Sequence, residues 1–260
     1  MKEENNVTVR TSVHKRRAGE VLSMHGNRLL LTQALLVCIV PVSLYGVFDY
    51  VFAALSLLVG ENELGASLLG GAYALVCVLL TLFLTLPLWS GLLFLADAMV
   101  KGERAVLADL FRAFSSGREY RRALSLAWQL LWRVCLVLVL ALAASFAIGA
   151  WNPESWLATF LYTFLGCLAA FLLFGSAVRH FLRPYLFVRC ADLSERARAD
   201  VARAHFYKGG KVGFFYWLSF LPWILLGLLT LGILLLVDVF PRMLLTYVLT
   251  CESAFWEEND

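Results

Sequence analysis

The chain has 260 residues, of which 61% are hydrophobic and 16% charged, with a formal net charge of +3 at pH 7. Soluble domains carry about 25% charged residues, so this composition excludes a soluble globular protein and favours one membrane domain. A nucleic-acid-binding role would need a groove-reading motif, and the sequence contains none.

Long apolar runs predict the membrane-spanning helices. A helix needs about 20 apolar residues to cross a hydrocarbon core about 30 Å thick, and only a helix satisfies such a backbone internally. The predicted spans are about 29–59, 64–99, 123–150, 155–182 and 212–237, with a shorter sixth candidate at 241–256. The sequence thus predicts an all-α polytopic transmembrane helical bundle of five to six spans.

The sixth candidate is the weakest of these spans. Its uncharged run, Met243–Cys251, is compatible with a crossing helix and with a re-entrant segment. We favour six spans with both ends on the same side. The predicted organisation is a basic N-terminal segment (1–28), a single transmembrane helical domain (29–256) and an acidic tail (257–260).

Positive charge is concentrated in three regions of the chain. All but two of the 22 Lys and Arg residues lie within residues 2–28, 101–122 and 179–211, whereas the intervening turns carry only acids, at Glu61, Glu63 and Glu154. Basic segments next to spans stay in the cytoplasm. The pattern therefore predicts a multi-pass plasma-membrane protein with a cytoplasmic N-terminus.

The two basic connectors have the period of amphipathic helices. Within residues 103–116, one face holds apolar side chains and another holds charged ones; the apolar residues are Val106, Leu107, Leu110, Phe111 and Phe114. The second connector, Ser194–Tyr207, has a weaker pattern. Both are predicted to lie in the cytoplasmic membrane interface and to bind anionic lipid headgroups. The candidate headgroup ligands are Arg104, Arg112, Arg196 and Arg203.

Three ionisable residues are candidate intramembrane polar groups, since such residues are costly in lipid and often functional. Asp49 is predicted near the outer interface. Asp97 precedes Lys101 by four residues, which allows an ion pair across one helical turn. Arg133 lies deep if its helix begins at Arg122 and reaches the surface if the helix begins later; an Asp97–Arg133 pair is a further interpretation. Arg179 and His180, at a cytoplasmic helix end, fit lipid-phosphate contacts.

No pattern of catalytic or metal-ligating residues is present. The six cysteines are scattered without a CxxC pair, and the four histidines have no metal-ligand spacing. Hydrolase and phosphate-loop motifs are absent as well. The sequence predicts no catalytic residue, no metal site and no cofactor.

The stretch 218–233, with Leu218-Ser219-Phe220, Trp223 and Leu226–Ile233, resembles the signature of a bacterial integral membrane family of unknown function. That family is the domain of unknown function numbered nine-seven-five. Tyr185, Asp192, Ala202, Lys208-Gly209, Lys211 and Asp109-Leu110-Phe111 with Phe114 fall at similar positions. The resemblance implies a multi-helix bacterial membrane protein and no established activity. Pro241-Arg242 departs from the usual Pro-Tyr, and a Pro-Gly before Tyr185 is missing, as in a divergent member.

These observations favour a non-enzymatic membrane protein that binds lipid or a partner protein. The predicted partners are anionic lipids at the cytoplasmic face, together with a membrane protein or a second copy of the chain. The alternative is a small transporter, or the membrane subunit of one, for a lipid or hydrophobic solute. An intramembrane enzyme is the third hypothesis.

Overall fold

The computed structural model describes residues 2–24, 26–59, 63–151, 156–190, 193, 195–230 and 232–255, and this part of the chain contains helices and no strand. The α-helices are α1 (Lys2–Ser23), α2 (Asn27–Val59), α3 (Glu63–Leu80), α4 (Leu86–Lys101), α5 (Gly117–Trp151), α6 (Trp156–Arg179), α7 (Arg183–Arg189), α8 (Glu195–Ala204), α9 (Phe206–Leu229) and α10 (Phe240–Phe255). π-Helical turns at Thr81–Thr85 and Leu235–Val239 and a 3-10 helix at Leu107–Phe114 complete the elements. The all-α prediction is confirmed.

Five helices are long and apolar enough to cross a membrane. Their candidate spans are Asn27–Leu58, Leu68–Lys101, Gly117–Ala141, Trp156–Arg189 and Gly210–Leu229, searched over the described residues. Each overlaps one of the five long apolar runs of the sequence, but α9 ends at Leu229, eight residues before the predicted end of the fifth run. Helix α10 is shorter and does not belong to this set, so the predicted sixth span stays a prediction.

The chain divides into two compact units, Met1–Ala127 with Ser219–Asp260, and Trp128–Leu218. In the first unit, α2 packs along the helix made of α3, the Thr81–Thr85 π-turn and α4. Near the start of α2 this hairpin is buried, as at Leu31, Leu35 and Leu95. Near its far end large apolar side chains such as Leu57 and Leu58 are exposed, as lipid-facing residues would be.

The π-turn between α3 and α4 lies close to Pro87, and both irregularities interrupt the regular backbone hydrogen bonding of the helix. Side-chain hydroxyl groups donate hydrogen bonds to two backbone carbonyls in this region. Thr81 Oγ1 donates to the Cys77 carbonyl at 2.7 Å and lies 2.6 Å from Tyr45 Oη of α2. Because proline has no N–H, Pro87 leaves the Phe83 carbonyl without its usual helical donor. The Tyr120 hydroxyl donates to that carbonyl at 2.9 Å.

Helices α1 and α10 pack side by side in the first unit. Ala18 and Leu22 of α1 are buried, and Leu245, Thr246 and Cys251 of α10 are fully buried. His14 Nε2 lies 2.9 Å from Ser253 Oγ. The segment predicted as a basic N-terminal tail is therefore a helix whose apolar face covers α10.

The first connector differs from its predicted form. Residues Leu107–Phe114 form a 3-10 helix, in which the predicted apolar face is split. Leu110 is buried against α4, where a Cβ on Gly91 would collide with the Leu110 carbonyl, whereas Phe111 and Phe114 are exposed. The close approach to Gly91 sets this arrangement, and the α-helical period in the sequence does not reveal it.

Candidate anion-binding cleft

The turn that follows α6 is held in the core of the second unit by two apolar residues. Phe181 and Leu182 are buried, and the Phe181 ring lies 5.0 Å from the Tyr216 ring of α9. Gly213 faces the same phenylalanine, and a Cβ there would lie 2.9 Å from Phe181 Cβ. These contacts fix the backbone that carries the neighbouring polar residues Arg179, His180 and Arg183.

Short helices α7 and α8 continue this structure. Pro184 lies in the first turn of α7, where its fixed φ suits a helix start, and Tyr185, Leu186 and Phe187 are buried. Helix α8 packs against α7. The burial of α7 positions α8, so the end of α8 returns towards the end of α6.

A cleft of about 100 Å³ lies between these chain segments. Its lining residues are Arg179, His180, Leu182, Arg183, Ala202, Arg203 and His205. Three arginines and two histidines therefore line one small cavity, and none of the lining residues that the structure describes is acidic. The volume matches about three water molecules, which is near the size of one phosphate group.

Two of the arginines have described polar partners. Arg183 donates to the Gln129 side-chain oxygen at 3.1 Å, which orients its guanidinium without neutralising it. Arg203 pairs with Asp200 at 3.3 Å, but both side chains are more than 70% exposed. An ion pair this exposed contributes little and is screened by salt, so an incoming anion can compete for Arg203.

The chemistry of this cleft suits a phosphate or another small oxyanion. Guanidinium groups bind such oxygens in a planar, two-pronged geometry and remain charged at every accessible pH. The ring nitrogens of the two histidines add hydrogen-bonding groups to the cleft. Burial raises the pKa of the thiol of nearby Cys190, which favours its neutral form.

The candidate headgroup ligands predicted from the sequence occupy different places. Arg203 lines the cleft, and Arg196 is exposed on the same helix. In the first unit, Arg104 is exposed and the Arg112 guanidinium lies 4.8 Å from the Phe94 ring centroid. The structure thus brings one of the four, Arg203, into the cleft.

The three candidate intramembrane residues are likewise separate. Asp97 is buried in α4 and pairs with Lys101 at 2.5 Å, in the predicted one-turn arrangement. Asp49 is exposed on α2. The Arg133 side chain and its predicted pairing with Asp97 lie outside the described residues.

Sequence reasoning missed Arg183 and His205 as cleft residues. A signal was present for Arg183, since Arg179, His180 and Arg183 fall at the spacing of one helical face directly after a span. No local signal links His205 to them, because its approach depends on how α7 and α8 fold back. Among the described residues, no group of three His, Cys, Asp or Glu side chains could hold a metal ion.

Comparisons of the chain with protein-family models, with curated protein sequences and with solved structures find no match. The resemblance to the family of unknown function therefore stays a prediction.

Proposed function

We propose that this chain is a multi-pass plasma-membrane protein that binds anionic phospholipid headgroups and catalyses no reaction. The observation that carries this proposal is the cleft lined by Arg179, Arg183 and Arg203 with two histidines. Arg179 and Arg183 lie near the C-terminal end of the fourth candidate span, Trp156–Arg189, and Arg203 follows that span. This end of the span is predicted to face the cytoplasm. The cytoplasmic leaflet is rich in anionic lipids, so ligand and site would meet at the same face.

A phosphodiester or phosphomonoester headgroup matches the cleft in charge and size. Each basic group near an anionic surface contributes about 1 kcal/mol of attraction. Several such groups around one cavity concentrate that attraction on a single phosphate. Scattered surface arginines such as Arg196 would instead contact many lipids briefly, because they have no enclosing wall.

Lipid binding is better supported than ion-coupled transport. Transporters place charged or coordinating groups near the membrane midplane. In the described part of the first unit, Tyr45 Oη lies 2.6 Å from Thr81 Oγ1 and 3.3 Å from Thr85 Oγ1, and the buried Asp97 carboxylate is paired with Lys101. These contacts leave little capacity for an ion.

Native mass spectrometry of the protein from mild detergent tests the proposal. The wild-type chain should retain phospholipid, and an Arg179→Gln/Arg183→Gln/Arg203→Gln variant should lose it. The matched control removes three exposed charges outside the cleft, by Arg16→Gln, Arg17→Gln and Arg104→Gln, and should retain the lipid. Equal retention by all three proteins, or equal loss in both variants, would count against a specific cleft.

A further inference from the structure

The chain reversal between α9 and α10 differs in composition from the two other predicted membrane hairpin turns. The turns near residues 60–63 and 152–155 carry glutamates, as turns in contact with water do. Residues 228–237 contain no charged side chain, and Thr230 is their one polar residue. A reversal made of leucine, isoleucine, glycine and valine is suited to hydrocarbon.

The described backbone of this reversal is hydrogen bonded within itself. The Gly232 N–H donates to the Gly227 carbonyl at 3.1 Å, and the Leu236 N–H donates to the Gly232 carbonyl at 3.1 Å. Thr230 Oγ1 donates to the Gly227 carbonyl at 2.8 Å and accepts from the Leu234 N–H at 3.3 Å. Gly232 has a φ of 81°, which glycine adopts without strain. These bonds satisfy N–H groups of the reversal, as a backbone away from water requires.

The returning arm ends at the level where α2 begins. Asp238 pairs with Arg28 at 3.1 Å and with Arg242 at 3.2 Å, and Arg28 is the second residue of α2. We refer to Lys15, Arg28, Asp238 and Arg242 as the charged collar. The collar marks one membrane face, because α1 precedes the first candidate span and Arg28 is the second residue of that span.

The outgoing arm lies at the same level. Lys15 Nζ donates to the Ser219 carbonyl at 2.6 Å and lies 4.2 Å from the Phe220 ring centroid. The Arg242 guanidinium lies 5.7 Å from the ring centroid of Trp223. Both arms of the reversal therefore start from the charged collar, although a crossing helix would end at the opposite face.

The reach of the reversal is much shorter than the membrane thickness. From Trp223 to Thr230 a helix rises about 10 Å, whereas the hydrocarbon core is about 30 Å thick. At the tip, Leu229 is 82% exposed and Ile233 is 68% exposed. The arms approach closely, since a Cβ on Gly227 would collide with the Leu235 side chain.

We propose that residues 224–237 form a re-entrant hairpin, whose tip binds the acyl chains of the leaflet next to the charged collar. The fifth candidate span then enters the membrane and returns to the same face. α10 follows on that face, packed against α1. This inference rests on the first unit alone and is independent of what the cleft of the second unit binds.

Cysteine labelling in membranes tests the hairpin with the full chain. Ile233→Cys places a thiol at the tip, Asn152→Cys places one in a predicted outer turn, and Ser115→Cys places one in the first basic connector. The wild-type chain, with six native cysteines, gives the background. With a membrane-impermeant maleimide, Asn152→Cys should react from one side only and Ser115→Cys from the other. Ile233→Cys should stay at background from both sides.

A depth measurement distinguishes a lipid-embedded thiol from one buried in protein. A fluorophore attached to Ile233→Cys by a membrane-permeant reagent should be quenched more by nitroxides on the acyl chain than by nitroxides on the headgroup. Leu229→Cys provides a second tip position if the first variant folds poorly. Maleimide labelling of the tip from either side, or stronger quenching from the headgroup, would overturn the proposal.

Discussion

The two units use the same basic residue types in different ways. In the first unit, Arg28, Lys101 and Arg242 pair with carboxylates, and Lys15 donates to a backbone carbonyl. In the second unit, Arg179, Arg183 and Arg203 line a cavity whose described lining includes no acidic residue, and the ion pair of Arg203 with Asp200 is exposed to solvent. Charge clustering along the sequence indicates a membrane face for both regions. It does not separate cations that hold helices together from cations that line a cleft.

The substitution with the largest expected effect on stability disrupts the charged collar. Asp238→Asn removes the carboxylate shared by Arg28 and Arg242, and the Asp238 side chain is only 15% exposed. We expect the free energy of unfolding to fall by about 2 to 3 kcal/mol, because two guanidinium groups lose their counter-charge in a partly buried site. Thermal unfolding in detergent measures this loss.

Asp200→Asn is the matched control for this effect. It removes the carboxylate of the exposed Arg203–Asp200 pair in the second unit and should change stability by less than about 1 kcal/mol. Equal destabilisation by the two substitutions would mean that the collar pairs are no stronger than surface pairs.

A second test concerns the packing of the first connector. Gly91→Ala would place a Cβ against the Leu110 backbone carbonyl, so the 3-10 helix would have to move away from α4. We expect a loss of about 2 kcal/mol. Gly71→Ala is the control, because its Cβ would meet open space and alanine favours a helix. If Gly91→Ala stabilises the protein as Gly71→Ala does, the described contact is wrong.

A smaller effect is expected at the π-turn. Tyr45→Phe removes the hydroxyl that lies 2.6 Å from Thr81 Oγ1. Hydrogen bonds between membrane helices contribute about 0.6 kcal/mol on average, and we expect a destabilisation of that size. Tyr50→Phe, at a position 82% exposed, should leave the unfolding temperature unchanged. An equal loss of stability in Tyr50→Phe would show that the hydrogen bond of Tyr45 at the π-turn is not the cause of the destabilisation.

The smallest effect is a pH dependence at Lys15. Burial lowers the pKa of this ammonium below its ordinary 10.5, and the nearby Arg242 charge lowers it further. Between the folded and unfolded pKa values the unfolded chain binds more protons, so stability should rise as pH increases towards 10.5. Lys15→Met should flatten that rise. An identical pH profile for the two proteins would show that Lys15 does not contribute.

The five apolar spans could be predicted because hydropathy over about 20 residues depends only on local sequence. The Asp97–Lys101 contact was similarly local, at one helical turn. The cleft could not be predicted in this way. Arg203 and His205 approach Arg179 and Arg183 only because α7 and α8 fold back across about 20 residues. The charged collar was hidden for the same reason, because Arg28 and Asp238 lie 210 positions apart.

Prediction from the sequence is also incomplete for segments whose conformation depends on tertiary contacts. The spacing of apolar residues in 103–116 indicates an amphipathic α-helix. The structure instead has a 3-10 helix whose backbone contacts α4 at Gly91, and Phe111 and Phe114 are exposed. Most described side chains of α10 are buried within the first unit, a packing that its short apolar run does not indicate. Its partner α1 carries charges along much of its length, and the sequence indicated only a basic N-terminal segment there.

The most direct test of the proposed division of roles is a lipid-dependent thermal shift. A ligand that binds only the folded protein raises its stability with concentration. A short-chain anionic phospholipid should raise the unfolding temperature of the wild type and of Asp238→Asn by similar increments. It should have little effect on the Arg179→Gln/Arg183→Gln/Arg203→Gln protein. An undiminished shift in the triple variant would contradict the account, because the cations of the second unit would then not be the ligand site.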